Sequence, residues 1–509
     1  MTFKILQKKL PGYLFICMVL IALFMVVNSS GAFAQDATGA KTGTISDVTA
    51  AKPGAPTAAE LGDAVGHNKI AINIVWTLVA GFLVMFMQAG FALVETGFTQ
   101  KKNVAHTMGM NFLVYALGMF GFWVCGFAIM FGGSLGMASL GGAPGVTSHE
   151  CIVHLFGHDF GIAGSVGFFL NSKVYDVGVF TLFLFQMVFM DTTATIPTGS
   201  MAERWSFKNF LIFGLFISMF VYPLYGNWVW GGGWLSQLGN NFGLGHGMVD
   251  FAGSSVVHLV GGMAALAGAL VIGPRIGKFN ADGTPNTIPG HNIPMALLGT
   301  FILALGWFGF NPGSTLSGGD FRIAIVAVNT MMAGTAGTLS VLVILYMQGK
   351  KPDPGMLANG LLAGLVAITA PCAFVTSISS VIIGAIAGAI VVFVIYLFEY
   401  KFRIDDPVGA FAVHGANGAW GVLSLGLFAD GTYGDGWNGV KGNVTGLFYG
   451  DASQFGAQCV GTLTCVIFVF VVMYTFFKIS NKITPIRVPA ADEVAGLDMP
   501  EMGVLGYVD

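Results

Sequence analysis

The hydrophobic residues of this chain fall into long runs that are separated by short polar stretches. An α-helix needs about 20 predominantly apolar residues to cross a lipid bilayer. Eleven runs of that kind are present, at 69–95, 106–133, 175–198, 208–230, 249–273, 292–311, 320–348, 356–374, 377–398, 406–430 and 454–478. The pattern therefore predicts an all-α polytopic membrane protein with eleven transmembrane helices.

The basic residues alternate with these runs. They are concentrated in the loops after the first, third, fifth, seventh and ninth runs, whereas the other loops carry little beyond Lys173 and Lys441. Because short cytoplasmic loops collect Lys and Arg, we expect a multi-pass protein of the cell's inner membrane, with its N-terminus outside and its C-terminus in the cytoplasm. The basic loop residues are Lys101, Lys102, Arg204, Lys208, Arg275, Lys278, Lys350, Lys351, Lys401 and Arg403.

The two ends of the chain differ in composition from the eleven-run region. Residues 1–34 combine early lysines, a short apolar run and an A-x-A-like site, which indicates a cleaved signal peptide; the alternative is a retained first helix. Residues 35–68 are rich in Ala, Gly, Thr and Pro, so we expect a flexible segment outside the cytoplasm. The membrane domain then spans 69–478, and 479–509 form a cytoplasmic regulatory tail.

The overall composition excludes a soluble or nucleic-acid-binding protein. The chain is 55% hydrophobic and 9% charged, whereas an ordinary soluble domain has roughly 25% charged residues. The net charge of -3 is small, and the basic residues form no single patch of the kind that binds nucleic acid. The six cysteines indicate no disulfide framework.

An internal repeat places two histidines in matching positions. The pattern D-x2-G-x3-VH-x3-G occurs at residues 250–262 and again at 406–418, in the fifth and tenth runs. Two repeats of five crossings each must be inverted relative to one another, with one extra helix at the C-terminus, and such repeats place their site between the halves. We therefore expect His258 and His414 to meet; the alternative is two unrelated core histidines, each bonded to a backbone carbonyl. Asp250 and Asp406 are expected to cap the helix starts.

Several motifs in fixed order resemble the ammonium transporter family, the Amt/Mep/Rh superfamily, on its bacterial Amt side. The resemblance covers residue 69 to the end and implies a homotrimer with a central pore in each subunit, a transporter rather than an enzyme, and no cofactor. The motifs are FQMVFMDTTATIPTGSMAER (185–204), VWGGGWL (229–235), DFAGSSVVHLVGG (250–262), GWFGFNPGS (306–314), DDPVGAFAVHGANGAWG (405–421) and AGLDMPEMG (495–503).

The resemblance also implies roles for individual residues in ammonium transport. Ammonium would be held by aromatic rings at an outer site, lose a proton, and pass as ammonia between two gate rings to the twin histidines. The resemblance favours electrogenic transport, and the C-terminal tail implies a trimeric PII signalling protein as partner. The alternative functions are an ammonium sensor and a neutral gas channel for ammonia or carbon dioxide. The residues are Phe185, Trp230, Ser314 and the supporting Asp250 at the outer site, Phe189 and Phe310 at the gate, and His258 and His414 in the pore.

Two features depart from the family pattern. Asp191 lies in an apolar run two residues after Phe189, where it could tune the pore entrance or bond to Thr192, Thr193 or a neighbouring helix. The loop HECIVHLFGHD at 149–159 contains Cys151, His154 and His158 at spacings that resemble zinc or copper ligands. Surface residues of an exported loop are the simpler interpretation, so we expect no resident metal.

Overall fold

The structure is a computed structural model, and it describes residues 57–134, 136–142, 150–171, 174 and 176–508. The expected signal peptide and most of the expected flexible segment lie outside these residues. Eleven long helices coincide with the eleven predicted runs. They are α1 (Ala58–Phe98), α2 (Lys101–Phe131), α3 (Val177–Ser200), α4 (Phe207–Val229), α5 (Ser254–Ile272), α6 (Ile293–Phe310), α7 (Arg322–Met347), α8 (Pro354–Ile368), α9 (Ser377–Phe402), α10 (411–428) and α11 (Ala452–Ile483).

The predicted fold class is confirmed, since the described part of the chain is mostly helical. Nine of the described helices are long and apolar enough to cross a membrane. Of the remaining two, α8 is shorter, with 15 residues, and α10 is less apolar, because it contains the polar side chains of His414 and Asn417. The predicted count of eleven helices therefore holds, although α8 and α10 do not meet the length and apolar composition of a typical membrane-spanning helix.

The start of α1 corrects one predicted boundary. The helix begins at Ala58, so residues 58–68 are helical rather than part of a flexible segment. The reason is a capping box: the Thr57 hydroxyl accepts a hydrogen bond from the Glu60 amide at 3.3 Å, and the Glu60 carboxylate accepts one from the Thr57 amide. Capping side chains start a helix before its apolar run begins, which a search for apolar residues does not detect.

The loops with most of the basic residues lie together at one end of the helix bundle, which we call the basic end. Odd-numbered helices finish there and even-numbered helices begin there. The structure joins these loops directly, since the His291 amide before α6 donates to the Thr99 carbonyl after α1 at 2.9 Å. The opposite end carries a β-hairpin, and we call it the hairpin end.

The hairpin was not predicted from the sequence. Strands β1 (Glu150–Leu155) and β2 (His158–Gly164) pair in antiparallel fashion. The hairpin packs on the end of α4, because the Trp228 indole donates to the Ile162 carbonyl at 3.0 Å and the Trp234 amide donates to the Gly161 carbonyl at 2.9 Å. Strands of six or seven residues are too short to appear in a search for membrane-spanning runs.

Helices α5 and α10, which carry the repeat, cross at very short range. A Cβ atom on Gly262 would overlap the backbone nitrogen of Gly415, and one on Gly418 would lie 2.6 Å from the backbone oxygen of Ser254. Gly262 and Gly418 are equivalent positions of the repeat. Because neither glycine has a side chain, the two helices come close enough for the side chains at the crossing to meet.

A buried ion cluster joins the two halves at the basic end. Arg275 bonds to Glu203 at 2.7 Å and to Asp405 at 2.8 Å, and all three side chains are at most 6% exposed. Burial alone would raise the pKa of both carboxyls, but the charge of the neighbouring arginines and the hydrogen bonds from Arg275 outweigh it, so both pKa values are lowered. Both carboxylates are therefore ionised at neutral pH.

The segment after α11 folds back along the basic end. The Asp498 carboxylate accepts from the His106 amide at 3.0 Å, the Glu501 carboxylate accepts from the Phe207 amide at 2.8 Å, and the Glu493 carboxylate accepts from the Ile276 amide at 2.7 Å. These amides belong to the loops or first turns near α2, α4 and α5. The C-terminal segment thus ties together three connections of the first repeat.

Candidate functional site

A line of neighbouring rings runs through the buried core from the hairpin end towards the basic end. The centroids of Phe185 and Phe189 are 4.6 Å apart, and Phe189 stacks on Phe310 at 4.1 Å. Phe310 continues to His258 at 5.3 Å, and His258 to His414 at 5.2 Å. The structure therefore brings together the gate and histidine residues that the sequence singled out.

The two histidines meet through their side chains. Each lies in a π-helical turn at the start of its helix, Ser254–Leu259 for His258 and Phe411–Ala416 for His414. Such turns are rare in proteins, and those that occur are often found at functional sites. The two Nδ1 atoms are 3.1 Å apart, so one imidazole donates to the other, rather than each bonding to a backbone carbonyl. The Nε2 atom of His258 has no partner among the described residues.

The predicted outer-site residues surround the gate rings at the hairpin end. The half-buried Trp230 presents its ring to Phe189, with centroids 6.2 Å apart and planes at 75°. The Ser314 hydroxyl donates to the Phe310 carbonyl at 2.7 Å. The Phe185 ring lies beside Gly313, the neighbour of Ser314. One indole ring, one phenyl ring and a hydroxyl oxygen thus lie around one entrance.

Asp250 supports this arrangement without facing it. Its carboxylate accepts from the amides of residues 253–256 and from the Ser255 hydroxyl, at 2.6 to 3.1 Å. Its backbone carbonyl accepts from the Trp230 indole at 2.6 Å. The helix begins only at Ser254, after Gly253 with a φ of 114°. The predicted cap is present, and Asp250 itself precedes the helix.

Asp406 occupies the equivalent position of the second repeat with fewer bonds. Its carboxylate accepts from the Phe411 amide at 2.8 Å, and its Oδ1 atom has no partner among the described residues. The two aspartates are therefore equivalent in sequence but not in structure.

Asp191 is buried in α3, and its side chain does not bond to the neighbouring threonines. Its side chain is 2% exposed, and its Oδ1 atom has no partner in the described part of the chain. The Thr192 and Thr193 hydroxyls donate instead to the backbone carbonyls of Val188 and Phe189, at 3.0 and 3.1 Å. The interpretation in which Asp191 bonds to these threonines is therefore wrong.

The cysteine and histidines of the hairpin do not converge on one point. His154 pairs with the exposed Asp159 across the two strands at 2.9 Å, and Cys151 lies opposite Ala163. Among the described residues, no group of three His, Cys, Asp or Glu side chains is placed to hold a metal ion. Cys151 and His154 are exposed on the hairpin.

One polar residue near the histidines was missed by the sequence reasoning. Glu95 and His414 line the same small cavity of about 20 Å³, together with the apolar side chains of Phe91, Val94 and Val408. Glu95 is the last residue of the first predicted run, so it was treated as a boundary residue. A carboxylate among the apolar residues of QAGFALVE was the signal that could have identified it.

Comparisons with known proteins agree with this geometry. Residues 75–507 match the family model described as Ammonium Transporter Family. The ammonium transporter Amt2 of Archaeoglobus fulgidus is 44% identical over 443 residues, which cover 87% of this chain and 89% of that protein. The ammonium transporter Amt1 of Haloferax mediterranei is 37% identical, with 87% and 81% covered.

Solved structures show the same architecture. A protein described as "Sensor Amt Protein" superposes with a TM-score of 0.74 at 36% identity, covering 86% of this chain and 99% of that one. Mep2 of Saccharomyces cerevisiae gives a TM-score of 0.70 at 25% identity, covering 83% and 88%.

Proposed function

Because this chain belongs to the ammonium transporter family, we propose that it takes up ammonium at the hairpin end, removes a proton and passes ammonia along the ring line to the basic end. The observation that carries this proposal is the continuous sequence of rings from Phe185 to His414, ending in two imidazoles whose Nδ1 atoms are 3.1 Å apart. It provides a cation-binding mouth, a closed apolar gate and a proton-exchanging centre in that order.

The outer site would bind the cation through Phe185, Trp230 and Ser314. A cation over an aromatic face gains about 0.5 to 2 kcal/mol. The Ser314 hydroxyl uses its proton on the Phe310 carbonyl, so its lone pairs remain to accept an N–H of ammonium. Asp250 holds Trp230 in place through its carbonyl. The site therefore suits a small cation that donates hydrogen bonds.

The gate explains why the proton must be removed. Phe189 and Phe310 stack at 4.1 Å and are both fully buried. Moving an ion into such a low-dielectric space costs on the order of 20 kcal/mol in the idealised limit, and several kcal/mol after relaxation. Ammonia is neutral and avoids most of that cost. Potassium is of similar size but has no proton to lose, so the same gate selects against it.

The twin histidines would receive ammonia beyond the gate. An imidazole is both donor and acceptor, and its unperturbed pKa near 6.5 makes proton exchange accessible. Because His258 and His414 share one hydrogen bond through Nδ1, an Nε2 atom of each ring remains to contact ammonia. We infer an electrogenic process, in which the proton crosses separately and one positive charge moves with each ammonia.

We also infer the orientation and the assembly of the protein. The Lys and Arg side chains at the basic end support a cytoplasmic position for that end, where the folded segment after α11 would be accessible to a trimeric PII signalling protein. A homotrimer with a pore in each subunit follows from family analogy. Light scattering of the detergent-solubilised protein tests the trimer, since it gives the mass of three subunits or contradicts it.

The transport proposal is tested with purified protein in liposomes on a solid-supported membrane. An ammonium pulse should produce a current that added potassium does not change. Trp230→Leu should raise the half-saturating ammonium concentration roughly 2- to 30-fold, from the energy of the lost cation-π contact. His258→Ala should abolish the current.

Trp123→Leu is the matched control, because Trp123 packs against Phe169 away from the ring line, at 5.0 Å. It should leave the half-saturating concentration unchanged. Ammonia entry without any wild-type current would refute the electrogenic mechanism. A full current in His258→Ala would refute the role of the histidines.

A further inference from the structure

Glu95 is a carboxyl group buried between α1, α2 and α3. It is 3% exposed, and none of the ion pairs formed by the described residues includes it. Its hydrogen-bond partners are uncharged: the Asn111 amide donates to Oε2 at 2.6 Å, and the Thr198 hydroxyl lies 2.9 Å from Oε1 and 2.7 Å from Oε2. An acid without a fixed cation beside it is able to change its charge.

The hydrogen bonds of Thr198 are compatible with both the ionised and the protonated form of Glu95. The Thr198 Oγ1 atom lies 2.6 Å from the Thr195 carbonyl as well as within bonding distance of Glu95. A hydroxyl has one proton and two acceptor lone pairs. When Glu95 is ionised, Thr198 donates to it. When Glu95 is protonated, it donates to Thr198, which turns its own proton to the Thr195 carbonyl. Both states fit the same heavy-atom positions.

Glu95 also lies where a proton would have to leave the pore. The cavity that it shares with His414 has a volume of about 20 Å³, and a cavity of about 10 to 15 Å³ of that measure holds one water molecule. Ammonia is of similar size. The other residues that line the cavity are Asn359 and residues with apolar side chains. One small molecule in this cavity would therefore lie against both Glu95 and His414.

We propose that Glu95 is the proton carrier on the basic side of the twin histidines, and this rests on the electrogenic transport proposed above. The proton released by ammonium at the outer site reaches the cavity by way of the imidazole pair and forms an O–H bond with the Glu95 carboxylate. Ammonia that arrives in the cavity takes this proton, the O–H bond breaks, and the carboxylate is restored. One ammonium is lost outside, one is formed inside, and one positive charge has crossed.

The test compares charge movement with ammonia entry in the same liposomes. Current is recorded after an ammonium pulse, and ammonia entry is followed by the alkalinisation of an enclosed pH-sensitive dye, with protein-free liposomes as background. Glu95→Gln, which keeps the shape but not the titratable proton, should reduce the current at least 10-fold and retain ammonia entry above background. Glu95→Asp, which keeps a carboxyl group, should recover part of the current.

Glu399→Gln is the matched control. Glu399 is also a carboxylate at the basic end, but it pairs with Lys278 outside the ring line, so its current should equal that of the wild type. A Glu95→Gln current within 2-fold of the wild type overturns the proposal. Loss of both current and ammonia entry also overturns it, since the residue would then only support the fold. If the wild-type protein gives no current, electrogenic transport itself is refuted, and no carrier is needed. If the wild-type current is normal and Glu95→Gln behaves in either of these two ways, only the proposal for Glu95 fails.

Discussion

Removing Arg275 should destabilise the protein more than any exposed charge at the basic end. The substitution Arg275→Met keeps much of the aliphatic length of the side chain and removes its charge. It leaves Glu203 and Asp405 ionised in a place where their side chains are 2% and 1% exposed. Leaving a buried charge without its partner costs about 3 to 5 kcal/mol.

The structure offers a matched comparison for this number. Lys278 forms a similar single ion pair with Glu399, whose side chain is 32% exposed and stays hydrated when the lysine is removed. Lys278→Met should therefore cost about 1 kcal/mol or less. The triple variant Arg275→Met, Glu203→Gln, Asp405→Asn removes the three charges of the cluster together and should regain part of the lost stability. The recovery should be incomplete, because the buried Arg204 keeps its bonds to backbone carbonyls but loses the nearby charge of Asp405.

The assay is thermal unfolding in detergent, with the midpoint followed by intrinsic fluorescence between pH 3 and 8. Both carboxyls have a lowered pKa in the folded protein, so their stabilising contribution is complete above the unfolded value near 4. It is lost as the pH falls below that value towards the folded ones. The difference between wild type and Arg275→Met should shrink accordingly. Equal midpoints for Arg275→Met and Lys278→Met at pH 7, or no recovery in the triple variant, would refute the reasoning.

Three further variants probe the gate, the helix crossing and the hairpin. Phe310→Ala should open the gate and admit a potassium current while ammonium binding outside persists; loss of binding, measured by calorimetry, would mean that the outer site is misplaced. Gly262→Ala should lower the yield of folded protein because its Cβ overlaps Gly415, whereas Gly62→Ala, which meets nothing within 4 Å, should not; equal yields on size exclusion would contradict this. Burial raises the pKa of Glu150 to about 7, so its ionised form opposes hairpin docking above that pH. Glu150→Gln should slow hydrogen exchange of the hairpin amides at pH 9 but not at pH 5, and the idea fails if the effect is the same at both.

Most of the helices could be predicted from the sequence because the bilayer fixes their length and composition. The repeat predicted that His258 and His414 meet, and no other part of the chain was needed for that prediction. The hairpin and the early start of α1 could not be found in the same way, since short strands and capping side chains such as Thr57 produce no apolar run. These elements depend on local hydrogen bonds rather than on the membrane.

The candidate site was only partly predictable. Motif context selected Phe189 and Phe310 from 45 phenylalanines, and the repeat predicted that Asp250 caps its helix start, but neither showed that the Asp250 carbonyl also holds the Trp230 indole. It also missed Glu95, whose importance depends on the cavity that it shares with His414. Contacts of that kind join residues more than 300 positions apart, and a sequence pattern read along one chain does not contain them.

The bonds of Asp250 have a consequence for how the molecule moves. One residue holds the Trp230 indole through its carbonyl and the first four amides around the start of α5 through its carboxylate. The aromatic mouth and the histidine turn are thereby hydrogen-bonded to the same residue. A hinge between them would have to break these bonds. We therefore expect passage of the substrate to depend on side-chain rotations, such as those of the two gate rings, rather than on a movement of the mouth relative to the histidine turn.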